Sequence, residues 1–344
     1  MASIPIRRAT LVDVAAAAGV SRSTASRVLS GEGAVSAETE ARVRAAAAEV
    51  GYLLNSAART LRTSRTMLTG LVLNNLVNAT FHVVAEIVQQ RLALAGYRMI
   101  LCVTGGQAAE EADYLQTLAE QGVDGIIVAG SGANIDQLNT IHANGTAIVN
   151  LIRAGKGAPG DRVLASDRDG AVLATQELLD LGHRRIGYIG GPAQTNSGRE
   201  RFHGYRSTLR TAGAFADDLV LRGPFSPDFG AEAIKAILRA PEPPSAVYIA
   251  NHEASFGALP TLRDLKVRLP DDLSLIAHDE PSWFQYWDPA VSIVDSGATE
   301  LAELAASRLI AAMRPGGTDD KPREFRVGAR LVTRGSSAPV TPRA

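Results

Sequence analysis

Cysteine occurs once in 344 residues, at Cys102. That excludes an intramolecular disulfide, a CxxC redox pair and a thiolate zinc cage. Long apolar runs are missing too, since no stretch reaches the ~18 to 20 residues that span a bilayer. Arg7 and Arg8 are not followed by the apolar segment of a secretory signal. The expectation is a cytoplasmic chain with no membrane partner. Sequence marks of common chemistry are also absent. There is no GxxxxGKS/T, HExxH or GxSxG, and Gly130-Ser-Gly132 does not continue into GxGxxG. No spacing of Ser, His and Asp favours a hydrolytic triad. No catalytic residue, cofactor or metal is assigned, and the chain is not read as an enzyme.

What is present is ordinary globular material, with 46% hydrophobic and 21% charged residues. The net charge of −1 hides a split. Residues 1–65 hold nine Arg, no Lys and five acidic residues, a net of +4, which leaves −5 on the rest. A small basic head on an acidic body points to nucleic acid at one end only.

The head reads as short helices. Thr10-Leu-Val-Asp13 resembles a capping box, and Leu11, Val14, Ala15 and Ala18 keep helical spacing. Gly19 breaks that helix and Ser21 can cap a second, with Ala25, Val28 and Leu29 inward and Arg22, Ser23, Ser26 and Arg27 outward. Ser36 caps a third helix to about Val50. Helix, Gly turn, Ser cap and helix have helix-turn-helix spacing. An outward Arg can donate two hydrogen bonds to guanine in the major groove, and the hydroxyls of Thr10, Ser21, Ser26 and Ser36 suit phosphate oxygens. The same pattern also describes a small Ala-rich bundle with a solvated Arg face.

From Met67 onward, short apolar runs alternate with amphipathic stretches. Strands are expected at Leu68–Leu73, Met99–Val103, Gly125–Val128, Ala147–Asn150, Arg185–Ile189, Ala246–Ala250, Leu273–Ala277 and Val291–Val294. Strands separated by helices argue for parallel sheets covered on both faces. About 275 residues suit two such lobes better than one.

Motifs in order along nearly the whole chain resemble the lactose/galactose repressor family of bacterial transcriptional regulators. They are Thr10-Leu-Val-Asp-Val-Ala15, Ala18-Gly-Val-Ser21, Thr24-Ala-Ser-Arg-Val-Leu29, Gly51-Tyr-x-x-Asn55, Ser166-Asp-Arg-Asp-Gly170, Leu181-Gly-His-Arg-Arg-Ile-Gly187, Arg201-Phe-His-Gly-Tyr205 and Leu269-Pro-Asp-Asp-Leu-Ser-Leu-Ile276. The resemblance implies an α/β protein: a helix-turn-helix headpiece (1–54), a hinge helix and linker (55–66), then two doubly wound parallel-sheet lobes of periplasmic-binding-protein type. The first lobe would take 67–181 and 295–322, the second 182–294 and 323–335, with a disordered tail at 336–344.

The resemblance also implies roles. Thr10, Leu11, Ser21, Arg22, Ser23, Ser26, Arg27, Ser36 and Asn55 would contact operator DNA. Leu61 would be the hinge leucine that enters the minor groove and kinks the duplex. Leu54 departs from the proline usual before that Asn, and Ala25 from the usual valine. Asn74, Asp169, Arg201, Phe225, Asn251, His252, Asp279 and Trp283 would line an effector cleft, with Asn78 and Phe284 as weaker members. Their chemistry, a planar Arg donor with carboxylates, amides and aromatic walls, suits a sugar-like effector. His252 and His278 depart from the family pattern and would favour a sugar acid that pairs with an imidazolium. The expected function is a homodimeric repressor of double-stranded operator DNA, switched by a small polar effector. The alternatives are a solute-binding receptor or a regulator of a nucleobase-like metabolite.

Overall fold

A computed structural model describes residues 9–30, 35–52, 65–314, 316 and 321–340, which form two compact units divided between Thr66 and Met67. The expected hinge helix, with Asn55 and Leu61, lies outside the described residues.

The head unit has three helices: α1 (Leu11–Ala18), α2 (Arg22–Ser30) and α3 (Ala37–Glu49). Each starts where a hydroxyl can satisfy an otherwise orphaned amide. Thr10 Oγ1 accepts from the Asp13 amide at 3.4 Å while Asp13 Oδ2 accepts from the Thr10 amide at 2.7 Å, a reciprocal capping box. Ser21 and Ser36 cap α2 and α3 by accepting from the amides of Thr24 and Thr39. Gly19 ends α1 at φ +62°, a left-handed conformation that costs glycine nothing and turns the chain into α2. Val14, Ala18, Ala25, Val28, Val43 and Ala46 form the core. Small side chains let the three short helices approach closely.

The body contains two six-stranded sheets. One runs in the order β2 (Arg98–Val103), β1 (Leu68–Leu73), β3 (Gly125–Val128), β4 (Ala147–Leu151), β5 (Asp161–Ala165) and β11 (Glu324–Val327). Its neighbours all pair in parallel, for example Leu71 beside Leu101 and Ile127. The other runs β7 (Val220–Arg222), β6 (Ile186–Gly190), β8 (Ala246–Ile249), β9 (Ser274–His278), β10 (Ser292–Asp295) and β12 (Arg330–Val332), where only β12 is antiparallel. Central strands read as unbroken apolar runs because helices cover both faces. On the first sheet these are α4 (Ala79–Leu94), α5 (Ala108–Glu120), α6 (Ile135–Ala143) and α11 (Ala298–Ala312). On the second they are α7 (Asp167–Asp180), α8 (Asn196–Thr211), α9 (Pro227–Leu238) and α10 (His252–Asp264). A Cβ on Gly257 of α10 would lie 1.7 Å from the Pro227 carbonyl oxygen, so glycine there is what lets α9 and α10 touch.

Several expectations change. The chain leaves the first lobe after β5 at Ser166, not at 181, because α7 packs on the second sheet through Ala171, Ala174 and Leu178. Asp295 still belongs to β10 of the second sheet, so the return to the first lobe falls one residue later than expected. Residues 324–327 pair with β5 of the first sheet rather than belonging to the second lobe. The strands β5, β7, β11 and β12 were not legible as apolar runs. They are short and carry charged or half-exposed residues, since β7, β11 and β12 lie at sheet edges and β5 is next to one.

The expected disorder from 336 is also overturned for residues 336–340, while 341–344 lie outside the described residues. Ser336 is fully buried; its Oγ donates to the Leu275 carbonyl at 2.7 Å and accepts from the Ser292 amide at 2.8 Å. The Leu275 amide donates to the Ser336 carbonyl, and the Val340 amide to the Leu181 carbonyl. Backbone groups of buried strands need partners, and this segment supplies them. Ser336→Ala leaves two buried backbone groups unpaired and should therefore lower the stability of the body by about 1–3 kcal/mol. Chemical denaturation checks this, and an unchanged midpoint contradicts it.

Candidate functional site

Two surfaces matter, one in each unit. In the head, Arg22, Ser23, Ser26 and Arg27 are exposed on α2, while Ala25 and Val28 of the same helix are buried. Residues three and four apart are neighbours on a helix surface, so Ser23–Ser26, Arg22–Ser26 and Ser23–Arg27 join the two guanidiniums and two hydroxyls into one polar face. Thr10, Ser21 and Ser36 are exposed caps whose oxygens already accept an amide proton. Leu11 is half-buried against the head core, which gives its side chain a packing role that the expectation of a DNA contact omitted.

In the body, both sheets reverse their strand order beside the first strand of the lobe, at β1 in one and β6 in the other. Crevices at the carboxyl ends of strands open at such reversal points. The segments leaving β1, β4, β8 and β9 meet there and enclose about 30 Å³, lined by Asn78, Thr80, Phe81, Ile152 and Arg153 from the first lobe. Ser197, Arg201, Phe225, Asn251 and Asp279 line it from the second, together with Ser296 near the crossover to α11.

Arg201 is the centre of this cleft. Its Nε donates to Asp167 Oδ1 at 2.6 Å, its Nη1 donates to the Ala250 carbonyl at 2.9 Å, and its Nη2 stands 3.7 Å from Asp279 Oδ2. Burial opposes its charge, but Asp167 and Asp279 outweigh that and hold the guanidinium pKa above its ordinary value. Burial pushes the Asp279 carboxyl up, although Arg201 and Ser296 pull it down. Asp279 also has φ +65°, a strained conformation for a non-glycine residue and one common at binding sites. Asn251 caps α10, its Oδ1 accepting from the Ala254 amide at 2.9 Å. It therefore does a structural job while facing the cleft.

The two histidines do not behave as ligands for an acid. His252 is fully buried and its Nε2 accepts from the Ala79 amide of the first lobe at 3.3 Å. Beside it, Asn75 Nδ2 donates to Glu253 Oε1 at 3.2 Å, so α10 meets the start of α4 through both contacts. Burial and then Arg201 push the His252 pKa down to about 3. His278 lies behind the cleft, with Nδ1 2.6 Å from Tyr248 Oη and Nε2 3.1 Å from Ser296 Oγ, and burial followed by Arg201 and His252 holds its pKa well below the usual range. Both rings are neutral, which overturns the expected imidazolium.

Other assignments shift as well. Asp169 is exposed and away from the cleft; Asp167 takes its place. The inward face of α7 follows 167, 170, 171, 174 and 178, so helical spacing pointed to Asp167 all along. Trp283 is not among the residues enclosing the cleft. It stacks with Phe256, Phe284 and Trp287 in an aromatic cluster, with ring centroids 4.6–5.4 Å apart. Phe284 is core. Asn74 does not line the cavity; with its amide oriented so that Nδ2 faces the Ala129 carbonyl, it donates there and accepts from Arg153. Arg153, missed in the sequence, follows β4 as Asn251 follows β8, so the same strand-end rule finds it.

Residues 10–55 match the model of bacterial regulatory proteins of the lacI family, and 175–337 that of a periplasmic binding protein-like domain. A relative named HTH-type transcriptional repressor PurR, from Serratia proteamaculans (strain 568), is 31% identical over 305 residues, covering 88% of this chain and 89% of its own. The chain belongs to the lacI family. Among solved structures, a transcriptional regulator CelR–cellobiose complex is 30% identical with TM-score 0.70, covering 96% of this chain and all of that one. A lac repressor dimer bound to operator and an anti-inducer has TM-score 0.82 at 23% identity, a likeness of fold, covering 96% and 100%. The two-part build of this lacI-family regulator, three-helix head and two-lobed body, is therefore that of transcriptional repressors and not of enzymes. No helix among the described residues is long and apolar enough to cross a membrane.

The neutral His252 makes a pH prediction. The unfolded chain takes up a proton near the ordinary imidazole value of 6.5, whereas the folded one stays neutral down to about 3. Stability is thus present above pH 6.5 and lost as pH falls toward 3. His252→Gln should flatten that slope, as read from denaturation midpoints between pH 7 and 3.5; an unchanged slope contradicts the assignment.

Proposed function

We propose that this regulator is a cytoplasmic homodimeric repressor that reads a roughly palindromic operator and is switched by a small polar effector held between the two lobes. The observation that carries the reading is the pairing of two surfaces on one chain. One is an exposed face of two arginines and two serines on the second helix of a helix-turn-helix head. The other is a buried polar cleft at the strand-order reversals of two sheets.

In this reading Arg22 and Arg27 donate to base edges or phosphates, and Ser23 and Ser26 add hydroxyl contacts. Thr10, Ser21 and Ser36, at exposed helix starts, approach phosphates. A two-fold dimer requires two half-sites with matching symmetry. Asn55 and Leu61 supply backbone and central minor-groove contacts, as the family pattern implies.

Arg201, Asp279, Asn251 and Phe225 hold the effector, with Phe81 and Asn78 across from them. About 30 Å³ of enclosed space holds no more than a water or two, whereas small-molecule sites run to several hundred Å³. Effector entry therefore spreads the lobes, and the lobe equilibrium is the signal. A ligand with equal affinity for both lobe arrangements would switch nothing. The cellobiose complex of CelR supports a sugar. The Phe81 and Phe225 rings also suit a planar nucleobase-like ring, which keeps that second reading in play.

Selection of bound duplexes from a random DNA library tests the DNA half. The expected product is a palindrome whose recovery is lost at high salt. Arg22→Ala should relax preference at one position in each half-site at a cost of roughly 1–3 kcal/mol. Uniform weakening on all sequences would reduce Arg22 to a phosphate contact, and absence of any selected sequence refutes the reading.

A further inference from the structure

The two guanidiniums of the cleft are unequally paired. Asp167 and Asp279 both face Arg201. Glu253 accepts from Asn75, and burial drives its carboxyl toward the neutral form against the pull of Asn75, Arg153 and Arg201. Arg153 enters from the other lobe. Among the described residues it has no carboxylate within ion-pair distance, and its buried Nε has no hydrogen-bond partner. Among the described residues the groups in contact with its side chain are neutral: Asn74, whose amide oxygen accepts from Nη1 at 2.7 Å in the amide orientation that satisfies both its ends, and the Phe225 ring, whose centroid lies 5.8 Å away. Burial and then Arg201 push its pKa down, against the longer-range pull of Asp167 and Glu253.

The backbone is committed to this placement. Ile152, directly before it, has φ +62°, a conformation that a β-branched residue adopts only under strain. That turn delivers Arg153 to the cleft wall beside Ile152 itself. The first turns of three helices also open here, at Thr80 of α4, Ser197 of α8 and the Asn251 cap of α10, and the positive ends of their dipoles favour negative charge, although the side chains of Asn78, Thr195 and Asn251 already accept from the Thr80, Gly198 and Ala254 amides. A fork of guanidinium donors with a free edge fits a planar or tetrahedral oxyanion.

We propose that the effector carries one anionic group, a carboxylate or a phosphate, that seats on Arg153. This rests on the cleft being the effector site. It also places the acid on an arginine of the first lobe, not on the histidines of the second, so the anion would draw on both lobes through Arg153 and Arg201.

Thermal unfolding of the full chain tests it. Sodium phosphate or sodium glycolate is titrated at an ionic strength held constant with sodium chloride, and ethylene glycol serves as the neutral match of glycolate. The expected result is a saturable rise in melting temperature with at least one anion and none with ethylene glycol. The midpoint should weaken at least tenfold in Arg153→Gln, recover partly in Arg153→Lys and stay unchanged in Lys321→Gln, which removes an exposed charge elsewhere. Saturation by phosphate alone assigns a phosphorylated effector, and by glycolate alone a carboxylate. No saturable rise with either anion, or an equal response in Arg153→Gln, overturns the proposal. Operator binding at saturating anion separates it from the underlying reading. An Arg153-dependent rise with unchanged operator affinity keeps the anion seat and removes its role as a switch. Operator release by a neutral sugar with no anion response keeps the regulator and removes the anion.

Discussion

The body is organised around a guanidinium almost wholly removed from water. Arg201 reaches from α8 to Asp167 at the start of α7, to the Ala250 carbonyl at the end of β8 and toward Asp279 after β9. A charge so deeply buried is tolerable only when counter-charges and acceptors surround it, and removing one member of such a group typically costs about 3–5 kcal/mol. The segments that leave α7, β8 and β9 are therefore fixed with respect to one another. The same contacts hold Asn251 and Asp279 in place at the cleft wall.

Asp167 gives this arrangement a second consequence. It stands two residues after β5, where the chain passes from the first sheet to the second. The ion pair thus anchors a crossover strand as well as a binding wall. Ser296 does the same at the next crossover, touching His278 while lining the cleft. Movement of one lobe against the other bends these crossovers, and the residues that would sense an effector sit on them. In a regulator, coupling of this kind needs only the 1–3 kcal/mol that separates two populated arrangements.

The contacts between α10 and the start of α4 act in the same place by a different means. His252 offers an imidazole lone pair to the Ala79 amide and Glu253 accepts a hydrogen bond from Asn75. Neither is an ion pair, so each is weak enough to break when the lobes part. Neutral histidine suits this work, since protonation would turn the acceptor into a donor facing another donor.

Much of this was legible in the residues. Eight apolar runs marked eight strands within a residue or two, seven of them central and the eighth the edge strand β2, and Ser and Thr before periodic segments marked the helix starts of the head, because apolar runs and orphaned amides leave strong local signatures. Arg201, Asn251 and Asp279 were found from motif order, and Phe225 as an aromatic wall beside them. Asp167 and Arg153 were readable from helical spacing and the strand-end rule. The edge strands β7, β11 and β12 were not, because short runs of charged and half-exposed residues carry no such pattern. Nor were the burial of Ser336, the neutrality of His252 and His278 or the exile of Trp283 to an aromatic cluster. Those depend on which distant groups arrive beside a residue, and therefore on its solvation and its partners. The sequence by itself determined the class of protein and the periodic elements. The tertiary structure alone decided the protonation and pairing of the cleft, since a charge's energy is set by what surrounds it and not by its neighbours in the chain.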